Sequence, residues 1–212
     1  MERDAEKLLT EAVRMCAEAG CTTGWAEHSR YAAEFARAVA GLAGMDGTRA
    51  YCATLLHDCG RFDPRGNGRG APLFWHEVLG FRFLMSRGRP EWARYCITHG
   101  YLDQGDLSTV SEPDAPAEVR ELVSGFLASI EYDDYDRLVQ LADGIALKEC
   151  YVTLEQRAID SMFRYGRLEA GLDRFKMFMS LKTYFDAKCG WSVYEVVPGF
   201  MDMAARFRYD YL

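Results

Sequence analysis

The sequence predicts an all-α protein, a single-domain helical bundle. Three observations predict it. Apolar residues recur at intervals of three and four along most of the 212 residues. Strand-like runs such as VYEVV (193–197) are isolated, and a lone strand has no sheet to join. No internal repeat or low-complexity linker divides the chain, so one domain over residues 1–212 is the economical reading.

The elements follow in order. Leu8, Leu9, Ala12, Val13 and Cys16 mark one face of a first helix. Trp25, Ala32, Phe35, Val39 and Leu42 mark a second. Asp46 or Thr48 is placed to cap a third that runs to about Gly60. A loop with Gly66, Gly68 and Gly70 spans about 61–72, and a fourth helix runs from about Leu73 to Ser86. Pro90 suits the first position of a fifth, ending near His99-Gly100. Residues 101–115 are polar and read as a loop, followed by a short helix from about Ala117 to Leu127. The acidic run 131–136 suits a helix N-terminus, where negative charge complements the dipole. Longer helices are predicted over about Asp134–Cys150, Thr153–Tyr165 and Leu168–Lys188. The tail with Trp191, Tyr194, Val196, Val197 and Phe200 is too apolar to stay free and is expected to pack back on the bundle.

Composition narrows the class. Hydrophobic residues make up 49% and charged residues 27%, as in ordinary soluble proteins. A net charge of −7 argues against duplex nucleic acid as partner, while leaving room for a local basic pocket that holds a small anion. No apolar run reaches the roughly 18–20 residues of a membrane span. The charged, amphipathic start is not a secretory signal, so a cytoplasmic protein is expected. The apolar C-terminal helices allow a homodimer. Seven scattered cysteines without a C-x-x-C pair read as reduced core residues, with Cys52, Cys96 and Cys150 inside apolar stripes.

The four histidines carry the chemistry. His28, His57, His76 and His99 each fall on the apolar face of a different predicted helix. One inward histidine is usually a core residue with a single hydrogen bond. Four of four point to a common destination. Asp143 shares the apolar stripe Val139-Asp143-Ala146-Cys150, and Asp58 follows His57 in ATLLHDCGRFD (53–63). A buried carboxylate is costly without positive charge beside it. Imidazoles and carboxylates together are good ligands for divalent iron, manganese, zinc or nickel.

The order His28, His57-Asp58, Asp143 resembles the H…HD…D signature of the HD-domain metal-dependent phosphohydrolases. The flanking ATLLHDCGRFD and LVQLADGIAL are similar to that family's helices, and the likeness covers about residues 20–150, with 151–212 as a C-terminal extension packed on that core. With His76 and His99 the order becomes H…HD…H…H…D. That order resembles the two-metal branch, and its spacing resembles the YqeK-like dinucleoside tetraphosphatases. The HD-GYP phosphodiesterases fit less well, since Leu102 follows His99-Gly100-Tyr101. The resemblance implies a hydrolase of phosphoesters or phosphoanhydrides. It implies one metal on His28, His57, Asp58 and Asp143, a second on His76 and His99, and Asp58 bridging the two. Such a pair, about 3.5–4 Å apart, would share a hydroxide. The expected substrate is a small phosphorylated molecule, a nucleotide such as a dinucleoside polyphosphate.

Arg61 stands where many of these enzymes have lysine. Arginine forks onto phosphate oxygens but does not serve as a proton donor, which puts lysine-dependent proton transfer in doubt. Asp58 and Arg61 are the candidate catalytic residues. Arg61, Arg65 and Arg69 are a candidate phosphate clamp, the alternative being a solvated loop. Asp63 is placed to orient water or an arginine. Lys148, about 140° around an ideal helix from Asp143, reads as a surface or rim residue. Trp75, Trp92 and Tyr101 read as core or rim packing, with base stacking as the alternative. Gly66, Gly68 and Gly70 make no P-loop, since no Gly-Lys-Ser/Thr follows. Three alternatives to the two-metal hydrolase stay open: a one-metal HD nucleotidase or phosphodiesterase, a metal- and nucleotide-binding regulatory domain, and a helical interaction domain with structural histidines.

Overall fold

The protein is described by a computed structural model covering residues 1–68, 71–105, 115–165 and 171–209, with backbone alone at 164 and 165. The described residues are all-α. The helices are α1 (Glu2–Glu18), α2 (Gly24–Leu42), α3 (Gly47–Leu55), α4 (Leu73–Ser86), α5 (Pro90–Thr98), α6 (Ala117–Ala128), α7 (Asp134–Ile145), α8 (Leu154–Tyr165), α9 (Gly171–Cys189), α10 (Val193–Val196) and α11 (Phe200–Arg206). Two 3-10 turns, Cys59–Phe62 and Pro64–Gly66, link α3 to α4. None of the described helices is long and apolar enough to cross a membrane.

Local chemistry explains where the helices start. Asp46 caps α3 by accepting from the Thr48 and Arg49 amides. Asp133 and Asp136 form a reciprocal capping box at the head of α7. Pro90 opens α5, where its missing amide costs nothing.

Helix α2 is the axle of the fold. One stripe, Ala32, Phe35, Ala36, Val39 and Ala40, packs with α7, α9, α10 and α11. Its other stripe, Trp25, Ala26 and Ala33, packs with α1, α3, α4 and α5. The many alanines let α3 and α7 approach closely. The expected return of the C-terminal tail occurs, with Val193, Phe200 and Ala204 buried against α2 and Phe200 stacked on Tyr151.

Several expectations need correction. Helix α3 ends at Leu55, not near Gly60, so His57 and Asp58 lie in the turn beyond it. Gly60 does not stop a helix. A Cβ there would sit 1.9 Å from the His76 carbonyl oxygen and 2.3 Å from the Gly80 amide, so glycine lets this turn rest directly on the α4 backbone. Helix α7 ends at Ile145 instead of running to Cys150. Ala146 turns extended and bridges Tyr151, with the Leu147 amide donating to the Cys150 carbonyl at 2.9 Å. Cys150 is therefore off any helical stripe and only half-buried. Lys148 is likewise off the helix, with its methylenes over Gly24 and its ammonium 3.4 Å from Glu149. The VYEVV run is neither strand nor free coil but a helical turn capped by Ser192.

Candidate metal centre

All four imidazoles meet. His28 comes from α2, His57 and Asp58 from the turn after α3, His76 from α4, His99 from the end of α5 and Asp143 from α7. Three rings are oriented by backbone carbonyls. Nδ1 of His28 lies 3.1 Å from the Ala146 oxygen, Nδ1 of His57 2.6 Å from Thr54, and Nδ1 of His99 3.0 Å from Tyr95. A carbonyl only accepts, so each Nδ1 carries the hydrogen. In the neutral ring Nε2 then presents a lone pair, and it faces the cluster. The early end of α7 matters here, because it frees the Ala146 carbonyl for His28.

Asp58 sits at the centre and divides its oxygens. Oδ1 lies 3.3 Å from His76 Nε2 and 3.8 Å from His99 Nε2. Oδ2 lies 3.8 Å from His57 Nε2 and 4.0 Å from His28 Nε2. Two triads able to hold a metal ion result, His28-His57-Asp58 and Asp58-His76-His99, with Asp58 common to both. Asp143 Oδ1 closes the first half, 3.0 Å from His28 Nε2 and 3.7 Å from His57 Nε2.

The donor set needs positive charge at its centre. His76 Nε2 and His99 Nε2 face each other at 3.2 Å. His57 Nε2 and Asp58 Oδ1 are fully buried without a hydrogen-bond partner. Leaving such groups unsatisfied costs roughly 1–3 kcal/mol each. Divalent cations among them would satisfy all of these lone pairs, so the residues fit such an ion.

Electrostatics follows the geometry. Burial works against charge on Asp58, but Arg61 and the surrounding histidines hold its carboxyl below the usual range. Burial likewise opposes Asp143, but the neighbouring His28 and His57 keep it well below the usual carboxylate pKa. Burial would depress His57, yet Asp58 and Asp143 raise it. Burial lowers His76 well below its ordinary value, with Arg61 adding to the effect. Burial and His57 bring His99 down to about 4. Neutral, lone-pair-bearing rings at His76 and His99 are the ligand form.

The arginines divide. Arg61 Nε donates to Asp58 Oδ2 at 2.7 Å, and its guanidinium lies 3.4 Å from both the Gly66 carbonyl and His76 Nε2. It belongs to the cluster. Arg65 turns away: Asp63 takes its Nε and Nη2 at 2.9 and 2.8 Å, and Asp63 also caps the Pro64–Gly66 turn. Arg69 lies outside the described residues. Trp92 is core, Tyr101 is buried, and Trp75 lies under the Arg65 guanidinium.

Several residues gave no sequence signal. Gln140 on α7 donates to the Thr98 and Tyr101 carbonyls at 2.8 and 2.9 Å, clasping the turn that carries His99. Asp136 is buried and takes Arg94 at 2.8 Å and Thr98 at 2.9 Å, locking α5 to α7. Glu77, beside His76, is buried with its carboxyl pushed up to about 8, and Tyr101 donates to it at 2.8 Å. Acidic residues next to ligands looked surface-bound because sequence spacing carries no record of a partner from another helix.

Of the six residues, those on the α2–α7 side reach solvent most. Asp143 keeps 23% side-chain exposure and His28 12%, against 5% or less for the other four. On that side lies a cleft of about 560 Å³, its open mouth included. Asp143, Leu154, Arg157, Ser161, Arg174 and Phe178 are among its lining residues.

No curated protein and no solved structure matches the chain. Among protein families, the HD domain matches residues 25–147. That span contains all six converging residues and ends two residues past α7. The chain belongs to the HD-domain family.

Proposed function

We propose that the protein is a metal-dependent phosphohydrolase that cleaves a phosphoester or phosphoanhydride of a nucleotide, of the dinucleoside polyphosphate kind, at a two-metal centre. The observation that carries this reading is the pair of donor triads sharing Asp58. His28, His57, Asp58 and Asp143 would hold one ion, and His76, His99 and Asp58 the other. Bound divalent ions supply Lewis acidity toward water and toward the phosphoryl oxygens.

The chain's own residues do the rest. Three backbone carbonyls hold the rings in one tautomer and one direction. Arg61 fixes Asp58, and its charge sits next to the carboxylate that both halves use. This gives the arginine an electrostatic and positioning duty, consistent with a group that does not release its proton. Asp143 and His28 are the most exposed of the six residues, and the cleft opens beside Asp143, so substrate approaches there.

A second reading has one favouring observation. Arg61 stands at the lysine position and is engaged with Asp58, which suits a metal- and nucleotide-binding domain without turnover. One experiment separates them. Metal content per chain is measured by elemental analysis of protein purified without chelator. Hydrolysis of dinucleoside tetraphosphate and other phosphate esters and anhydrides is measured in parallel, with Asp58→Asn as control. About two equivalents of metal, and turnover that falls more than about 100-fold in the variant, are expected. One equivalent points to the one-metal enzymes. Bound nucleotide without product establishes the binding domain, and no metal after reconstitution ends both readings.

A further inference from the structure

Most of the cleft beside Asp143 is built from parts the family match does not include. Its two cations, Arg157 on α8 and Arg174 on α9, lie beyond residue 147. Both are half-buried. Neither forms an ion pair among the described residues. The other described arginines without an ion pair, Arg82 and Arg120 among them, are exposed, whereas half-buried arginines such as Arg94 and Arg137 are paired. Arg30, Arg37, Arg49, Arg87 and Arg89 each lie on a carboxylate. So do Arg61 and Arg65, the two described members of the nominated phosphate clamp.

Arg174 is nonetheless held in place. It donates to the Gly100 carbonyl at 3.0 Å, one residue past His99, and its guanidinium lies 5.6 Å from the Phe178 ring centre. Phe178 in turn rests on Gly144, where an added Cβ would come within 2.7 Å of the ring. The run Asp143-Gly144, Phe178, Arg174, Gly100, His99 thus spans the mouth of the cluster. A glycine inside a helix is costly, and here it admits the aromatic ring that seats the arginine. Arg157 makes no side-chain hydrogen bond or ion pair among the described residues, so its fork is available to an anion. Ser161, one turn further along α8, adds a hydroxyl.

We propose that Arg157 and Arg174 form a phosphate subsite that takes a phosphate group of the substrate other than the one under attack. The ligand class is a compound with at least two linked phosphates. Guanidinium forks match phosphate oxygens two at a time, and partial burial strengthens the pairing. Asp143 lines the same wall, so a phosphoryl group linked to that phosphate would lie beside the histidine–aspartate cluster. The substrate assignment rests on the phosphohydrolase reading, whereas the anion site rests on the cleft.

The test uses the full chain and inorganic pyrophosphate, titrated calorimetrically with and without chelator. Arg157→Gln and Arg174→Gln are compared with wild type, and thermal melting by circular dichroism establishes that each variant is folded. Binding about tenfold weaker in a folded variant, equivalent to about 1.4 kcal/mol, is expected, with metal content unchanged. Arg157→Lys, which keeps charge and loses the fork, should fall between. Unchanged pyrophosphate affinity in the folded glutamine variants overturns the subsite. Wild-type chain that binds pyrophosphate through Arg157 yet holds no metal and cleaves nothing ends the phosphohydrolase reading and leaves the subsite standing. Metal-loaded chain that hydrolyses substrate with the same KM in wild type and variants does the reverse.

Discussion

The histidine–aspartate cluster and the arginine cleft touch at Asp143, but they are built by opposite means. The cluster draws one or two residues from each of five helices or turns, and three of its four rings are tied to backbone carbonyls. The carbonyls set the tilt of those three rings, while His76 is held by packing within α4 and its neighbours. The cleft draws on α7, α8 and α9, and its two cations keep solvent contact. Ligands for an ion must be placed to within tenths of an ångström, so the backbone itself has to supply the placement. A phosphate group is held by long side chains that adjust. The first arrangement tolerates little change, and the second can be rebuilt by substituting surface-facing arginines.

Gly60→Ala tests the rigid side of this contrast and carries the largest effect. Both close contacts are backbone atoms of α4, which cannot swing away. A loss of more than about 3 kcal/mol is expected, read as a fall in Tm of about 10 °C, together with reduced metal content. A variant that melts like wild type would show that the turn carrying His57 and Asp58 is not seated on α4.

Gly144→Ala probes the junction. The new methyl meets the Phe178 ring, a side chain that can shift by a few tenths of an ångström. The expected cost is about 1–2 kcal/mol in stability. Pyrophosphate binding should weaken while metal content holds, because the ring seats Arg174 and is not itself one of the six cluster residues. Equal losses of metal and pyrophosphate would mean that the two regions are one unit.

Arg65→Gln carries the smallest effect. Its partner is Asp63, and its side chain is 53% exposed. Exposed pairs contribute roughly 0–1 kcal/mol, so a Tm shift under about 2 °C and less than a threefold change in turnover are expected. A larger fall in turnover would return Arg65 to the phosphate clamp, since it would have to leave Asp63 to act there.

The cluster was legible in the sequence to an unusual degree. Four histidines on four apolar faces mark a shared interior point, because helical periodicity reports which side of each helix is buried. The boundaries of α4 and α5 were equally readable, since Pro72 and Pro90 leave few choices for where a helix begins. The ends of α3 and α7 were not. Their apolar stripes continue past Leu55 and Ile145, and what stops them is a contact from elsewhere: α4 beneath Gly60, and Tyr151 paired with Ala146. Gly144 was the one available hint of the cleft, a glycine inside a helix directly after the last aspartate of the motif.

From residue types and spacing alone came the all-α class, the six side chains that converge and the family to which they belong. Those features repeat along one helix at a time, so each is written locally. Three things came from assembly. Asp58 divides its oxygens between two sets of imidazoles, the solvent opening lies at Asp143, and Arg157 with Arg174 rather than Arg65 faces that opening. Each depends on distances between helices far apart in the chain. Such distances are set by the volumes of the residues packed between them, by Gly60 on α4 and Phe178 on Gly144, and no local periodicity records them.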